Sequence, residues 1–287
     1  MIPAGLHWLR ETESGRAWLN ALPSLVDACV ERWSLRVGDP YRESYVSYVL
    51  PASLADGTDV VLKIQFPHWE STHEAAALAH WDGDGAVRLL DTDPERYALL
   101  IERCRPGTPL STLEADDALD VLVGLLPRLW KPASVPFEPL QREVALWKDE
   151  LLQGFERARQ PFEQTLLDAA VDALATLAAS QGEQVLLHQD LHADNILRAE
   201  RAPWLAIDPK PLVGEREFGI TQVVLGSELG SGRAHVAHRL DRLSSELGLD
   251  HERVRGWAFA QRLRFAFDGD DADPHDVETA RWLLQAA

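Results

Sequence analysis

The stretch from His188 to Asp208, HQDLHADNILRAERAPWLAID, constrains this chain more than any other part of it. Short apolar runs alternate there with polar residues at fixed offsets. Val185-Leu186-Leu187 reads as a strand that leads out of the core into the polar cluster. Ile196-Leu197 and Leu205-Ala206-Ile207 read as two strands of a small hairpin, turned near Glu200-Arg201-Ala202-Pro203. Pairing of those strands would bring Asn195 and Asp208 together, although thirteen residues separate them. The plainer reading is that Asp190 and Asp194 terminate strands and that Asn195 forms a turn.

The offsets resemble the H-x-D-L-x-x-x-N catalytic loop of protein-kinase-like phosphotransferases, with a further Asp downstream. The resemblance implies that Asp190 faces the acceptor hydroxyl and that His188 orients the loop. Asn195 and Asp208 would hold Mg²⁺ under the phosphates of ATP. Phosphoryl transfer asks little covalent work of a protein; it needs the γ-phosphate neutralised, the nucleophile aligned and a proton acceptor close by. Mg²⁺ takes oxygen ligands and keeps several waters, so one carboxylate and one amide oxygen plus phosphates suffice.

Upstream, Val60-Val61-Leu62-Lys63-Ile64 is a β-prone run with one lysine in it. Eleven residues later Glu74 opens the helical segment Ser71-Thr72-His73-Glu74-Ala75-Ala76-Ala77-Leu78. A strand lysine followed by a helix glutamate fits the kinase ion pair that positions the ATP phosphates. Two alternatives compete: Lys63 as a solvated edge residue, and a capping box in which Ser71 and Glu74 serve the helix start.

These residues carry a family resemblance. The chain is similar to the aminoglycoside phosphotransferases, in the branch of streptomycin 6-kinases and hydroxyurea kinases. The matching segments are Trp81 to Leu90 (WDGDGAVRLL), Leu99 to Gly107 (LLIERCRPG) and His188 to Asn195. The most branch-specific is Ala206 to Glu215 (AIDPKPLVGE), which stands where protein kinases have D-F-G. The resemblance implies an α+β, protein-kinase-like two-lobe fold, with a small N-terminal lobe built on an antiparallel sheet and a larger, mostly helical C-terminal lobe. The boundary would fall at residues 1–104 and 105–287, with Arg105 to Pro109 as the hinge. The backbone of Glu102, Arg103 and Cys104 would line the adenine site, and Lys210 would reach a phosphate. The implied activity is ATP-dependent phosphorylation of a hydroxyl on an aminoglycoside-type antibiotic, streptomycin first, giving resistance. Three departures stand out: Gln189 where the family usually has Gly, Gly219 where relatives usually carry an Asp, and Ser44 to Val49 in place of a glycine-rich phosphate loop.

Other features narrow the reading. With 46 acidic against 28 basic residues the net charge is −18, which disfavours nucleic acid and anionic lipid as partners. The same charge would concentrate a cationic small-molecule acceptor, or serve solubility alone. No apolar run approaches the roughly 18–20 residues needed to span a bilayer, and no secretory signal is visible. Cys29 and Cys104 are too few for a disulfide framework and read as small core residues. These points favour a reducing cytoplasm; a monomer or weak dimer is the expectation for assembly. Two other function classes stay open: a kinase for a sugar, amino sugar or hydroxyurea, and a non-catalytic nucleotide-binding module.

Periodicity gives the remaining expectations. Ser14 to Trp33 reads as two short helices broken at Pro23. Strands lie within 45–66 and near 87–92 and 96–102, with a helix near 69–81. Helices follow at 118–130, 140–156, 162–179, 216–229, 235–247, 250–267 and 275–285. Trp257 reads as core, with a floor for an acceptor pocket as the alternative. Glu215 reads as a helix cap, with a cation-binding carboxylate as the alternative.

Overall fold

The computed structural model describes residues 2–42, 44–68 and 71–285. The elements run α1 (Glu13–Trp33), β1 (Arg36–Val37), β2 (Ser47–Ser53), β3 (Asp59–Gln65), α2 (Glu74–Trp81), β4 (Leu89–Asp93) and β5 (Ala98–Glu102). They continue with α3 (Ala115–Leu129), β6 (Glu138–Pro139), α4 (Leu140–Arg157), α5 (Gln164–Ala179), β7 (Gln184–Leu187), β8 (Ile196–Arg198), β9 (Trp204–Ala206) and β10 (Leu212–Glu215). The chain ends with α6 (Arg216–Gly219), α7 (Thr221–Leu225), α8 (Arg233–Leu247), α9 (His251–Phe265), the two-residue strands β11 (Phe267–Asp268) and β12 (Asp271–Ala272), and α10 (Pro274–Gln285). Two compact units form. One comprises Met1–Thr108 with Leu197–Lys210, the other Pro109–Ile196 with Pro211–Ala287.

The first unit is built on an antiparallel sheet of order β1-β2-β3-β5-β4. Strand alternation decides which face each side chain serves. Val60, Leu62 and Ile64 of β3 join Ala98 and Leu100 of β5 in a core that includes Leu6, Leu9, Trp18, Leu22 and Cys29 from the N-terminal helical segments. The same alternation sends Val61, Lys63 and Gln65 to the opposite face. On α2 the buried residues Glu74, Ala77, Leu78 and Trp81 recur at i, i+3, i+4 and i+7, so Glu74 begins the helix's buried stripe.

The expected break at Pro23 does not occur: α1 is continuous from Glu13 to Trp33. Pro23 is exposed while Trp18, Leu22 and Cys29 are buried. The helix therefore turns its missing N–H toward solvent, and burial of the opposite face outweighs a proline cost of about 3 kcal/mol. Thr12 caps the start by accepting the Gly15 N–H at 3.0 Å. Helix α2 begins at Glu74 rather than near 69; Trp69 and Glu70 lie outside the described residues.

The segment Leu197–Lys210 is stitched to the rest of the first unit by main-chain bonds. Arg198 donates its N–H to Thr108 O at 2.8 Å and accepts from Gly107 N at 3.0 Å. Ala206 donates to Gly85 O at 2.9 Å and accepts from Val87 N at 3.0 Å.

The second unit is mostly helical. Val254, Trp257, Ala258, Phe259, Ala260, Gln261 and Leu263 are buried on successive faces of α9, which makes it the central helix. It packs against α4, α5, α6, α7, α8 and α10. Beside it lies a small sheet of order β6-β10-β7, with β10 antiparallel to β7. The single helix expected over 216–229 is instead α6 and α7, and the chain from Gly226 to Gly230 is a turn. Arg239 of α8, 1% exposed, takes up main-chain carbonyls of that turn, which favours the turn over continued helix.

Gly214 in β10 shows why the A-I-D-P-K-P-L-V-G-E run needs its glycine. A Cβ there would lie 2.7 Å from Leu140 Cβ and 3.1 Å from Leu187 Cδ1. Helix α4 thus packs directly on the backbone of β10. Gly214→Ala is expected to cost about 1–3 kcal/mol through overpacking, read as a lower urea midpoint with an unchanged slope.

Candidate active site

Lys63 is the best-defined candidate side chain of the first unit. It is 5% exposed, and its Nζ donates to Glu74 Oε1 at 2.8 Å, Glu74 Oε2 at 2.6 Å and Asp208 Oδ1 at 2.6 Å. Burial alone would push the ammonium down, but the adjacent carboxylates of Asp208 and Glu74 hold its pKa above that of an ordinary lysine. The solvated-edge reading of Lys63 is therefore excluded.

The capping-box reading of Glu74 fails as well. The Ser71 hydroxyl donates to His68 O at 2.8 Å, and the helix start at His73 carries no side-chain cap. Glu74 instead receives Lys63 and also the amide of Gln65, Nε2 to Oε2 at 2.6 Å. Burial pushes the Glu74 carboxyl up to about 7, with Lys63 opposing and the Asp208 charge reinforcing the shift. Gln65 was missed in the sequence, yet it sits two residues after Lys63 on the same strand face, so period-2 alternation could have found it.

Asp208 has φ +57, in the left-handed region that Asp tolerates better than most residues. Asp208 and Lys210 both belong to the segment stitched to the first unit, and Lys210 is half-buried.

Glu102, Arg103 and Cys104 end β5 and open the following loop. Glu102 donates its N–H to Arg88 O at 2.9 Å. Its carboxylate is gripped by Arg201 in fork geometry, Nε to Oε1 at 2.7 Å and Nη2 to Oε2 at 2.9 Å. Arg201 also donates to Gly83 O at 2.8 Å and Ala86 O at 3.1 Å, so it joins the hairpin tip to the end of β5. A turn arginine gives no sequence signal for such a partner. Arg103 pairs with Asp59 at 3.6 Å. Burial pushes the half-buried Cys104 thiol up to about 12, reinforced by Glu102, which leaves it no nucleophile at neutral pH.

The second unit carries His188, Asp190 and Asn195 on the loop that leaves β7. His188 is 4% exposed, and its carbonyl accepts the Asp190 N–H at 2.8 Å. Gln189 has φ +63, a conformation that a glycine adopts without penalty and that costs another residue about 1 kcal/mol or more. Asn195, 8% exposed, donates Nδ2 to Asp190 O at 2.9 Å. This bond commits the amide nitrogen and leaves the carbonyl oxygen as the Asn195 group suited to a hard cation. His192 is half-buried and accepts the Asn195 N–H through its carbonyl at 2.9 Å. The hydroxyl of Ser111 bonds the Asp194 carboxylate.

One further reading is corrected, and the reading of Trp257 as core holds. Glu215 neither caps α6 nor faces an outside cation. It is fully buried and accepts from Arg253 Nη2 at 2.8 Å, Gly182 N at 2.9 Å and Trp257 Nε1. Trp257 is fully buried against Phe218, ring centroids 5.3 Å apart, so it is core and no pocket floor. At Gly219 a Cβ would meet Leu187 Cδ2 at 3.0 Å and Trp130 Nε1 at 3.3 Å, so neighbouring side chains crowd the space that a side chain there would enter.

Comparison with known proteins decides the family. The sequence model of the aminoglycoside/hydroxyurea antibiotic resistance kinases matches residues 32–267. The chain belongs to this family. It is 40% identical to streptomycin 6-kinase of Streptomyces griseus over 259 residues, 88% of this chain and 84% of that one. It is 39% identical to hydroxyurea phosphotransferase of Kitasatospora aureofaciens over 286 residues, 96% of this chain and 82% of the relative. Among solved structures, the choline kinase LicA of Streptococcus pneumoniae superposes with a TM-score of 0.63 at 13% identity, covering 92% of this chain and 98% of that one. The fold is thus the α+β, protein-kinase-like one, and the protein is a small-molecule kinase that uses an alcohol group as acceptor. Among the described residues no helix is long and apolar enough to cross a membrane.

Glu74 makes this site sensitive to pH. A folded-state carboxyl pKa raised to about 7 favours the folded protein at low pH, and that contribution fades as pH rises through 7. Wild type is therefore expected to lose stability relative to Glu74→Gln as pH rises from about 5 to about 8. Paired urea titrations at the two pH values check this; a constant difference would refute it.

Proposed function

We propose that the protein phosphorylates a hydroxyl of streptomycin with ATP as donor and Mg²⁺ as the metal, and so confers resistance. The observation that carries the reading is the 40% identity to a streptomycin 6-kinase over 88% of the chain. The net charge of −18 supports it, because an acidic protein attracts a cationic acceptor.

The residues divide the work. Lys63, oriented by Glu74, binds the α- and β-phosphates, and the backbone near Glu102, Arg103 and Cys104 takes the adenine edge. Lys210 adds a phosphate contact. Asn195 and Asp208 are the magnesium-binding pair; an amide oxygen and a carboxylate are the hard donors that this ion takes. Magnesium, when bound, neutralises charge on the phosphates. Asp190 takes the proton of the acceptor hydroxyl as its oxygen bonds the γ-phosphorus and ADP departs. His188 orients the loop that carries Asp190. ATP as donor and two free cysteines fit the cytoplasm, and one chain supplies all the residues named.

A second reading, phosphorylation of hydroxyurea, draws support from the 39% identity to a hydroxyurea phosphotransferase. ADP release from MgATP separates the two when streptomycin or hydroxyurea is added to the wild type. Stimulation by hydroxyurea alone would overturn the streptomycin assignment. Asp190→Ala is expected to lower turnover on the order of 10²–10⁴-fold while nucleotide binding persists. Near-wild-type turnover with a validated acceptor would refute the role of Asp190. Asp208→Ala should instead weaken nucleotide binding at saturating magnesium, and unchanged affinity by calorimetry would count against its metal role.

A further inference from the structure

The loop between Asp190 and Asn195 is held at its middle by a residue that the reading so far leaves unused. The Ala193 N–H donates to Glu228 Oε1 at 3.0 Å. Glu228 stands in the turn after α7, and that turn is itself fixed. The Arg239 guanidinium donates to the carbonyls of Val224 at 3.1 Å, Leu229 at 3.0 Å, Gly230 at 2.8 Å and Gly226 at 2.6 Å. An arginine spent on four main-chain carbonyls acts as a rigid bracket. Glycine at 226 completes the arrangement. A Cβ there would lie 2.5 Å from Glu228 Oε2 and 2.6 Å from Oε1, so only glycine leaves the space into which the carboxylate folds back.

We propose that Glu228 is a positioning residue for phosphoryl transfer, holding the Ala193 peptide so that Asp190 and Asn195 keep their relative placement within the loop. This rests on reading residues 188–195 as the catalytic loop. A carboxylate accepting a peptide N–H makes a charge-assisted bond, stronger than a neutral one. The bond needs an acceptor oxygen at that place and no charge, which separates it from a carboxylate that binds the cationic acceptor directly.

The test compares Glu228→Ala, Glu228→Gln and Gly226→Ala with wild type in two readouts. The first is amide hydrogen exchange of the peptide spanning Ala193, which needs no acceptor. The second is acceptor-stimulated ADP release, resolved into kcat and KM. Glu228→Ala should speed exchange at that peptide about tenfold, the scale of one lost hydrogen bond. It should lower kcat by a similar factor, with KM for MgATP within about twofold and Tm nearly unchanged. Glu228→Gln should restore most of both, because its amide oxygen can accept the same N–H, though without charge assistance. Gly226→Ala keeps the charge but displaces the carboxylate, and should resemble Glu228→Ala. The proposal falls if exchange at Ala193 is the same in Glu228→Ala as in wild type. It also falls if Glu228→Gln is as poor as Glu228→Ala with the defect confined to acceptor KM, the mark of direct acceptor binding. If wild type turns over neither streptomycin nor hydroxyurea, the proposed acceptors fail while the exchange arm still decides the role of Glu228.

Discussion

One ammonium shared by two carboxylates organises the first unit. Lys63, buried in the middle of β3, bonds Glu74 on α2 and Asp208 on the segment 197–210. Burying Lys63 and Glu74 is costly, and removing either would leave the other uncompensated, while Asp208 reaches Lys63 from a partly exposed position. The three elements are therefore bound to one another by electrostatics as well as by packing. The surrounding structure serves that triad. Strand alternation aims Lys63 and Gln65 away from the α1 core, the buried stripe of α2 begins at Glu74, and main-chain bonds to Gly85, Val87, Gly107 and Thr108 fix the segment that carries Asp208.

The second unit holds its polar loop differently, mostly through main-chain groups. Asn195 bonds the Asp190 carbonyl, Glu228 bonds the Ala193 N–H, and Ser111 bonds Asp194. Charge is buried there as well, but at a distance from the loop in sequence: Glu215 with Arg253 and Trp257 ties β10 to the central helix. Short polar contacts within the second unit thus brace the loop that carries this carboxylate and amide.

Much of this was legible in the residues. The lysine in a β-prone strand and the glutamate eleven residues on lie on elements whose periodicity shows in the sequence, and the D-L-H-A-D-N loop shows by the offsets of its polar residues. Other parts were not. Pro23 reads as a helix break because propensity is local, whereas the burial that overrides it is not. Glu215 looks like a cap because it precedes a helix, and only its long-range neighbours Gly182, Arg253 and Trp257 show it to be a buried hub. Arg201 and Glu228 lie in turns without pattern, and their partners are 99 and 35 residues away.

What the sequence determined by itself was the chemistry on offer: the types and offsets of His188, Asp190, Asn195 and Asp208, the β-prone run around Lys63, and the family that these residues resemble. These are local quantities, set by side-chain identity and by periods of 2 and 3.6 residues. The tertiary structure decided which of two partners Glu74 serves, which face Lys63 turns to, and which groups support the loop 188–195. Those choices depend on contacts between residues far apart in the chain. They are settled by burial, which makes an unpaired charge or N–H too costly to leave where packing has placed it.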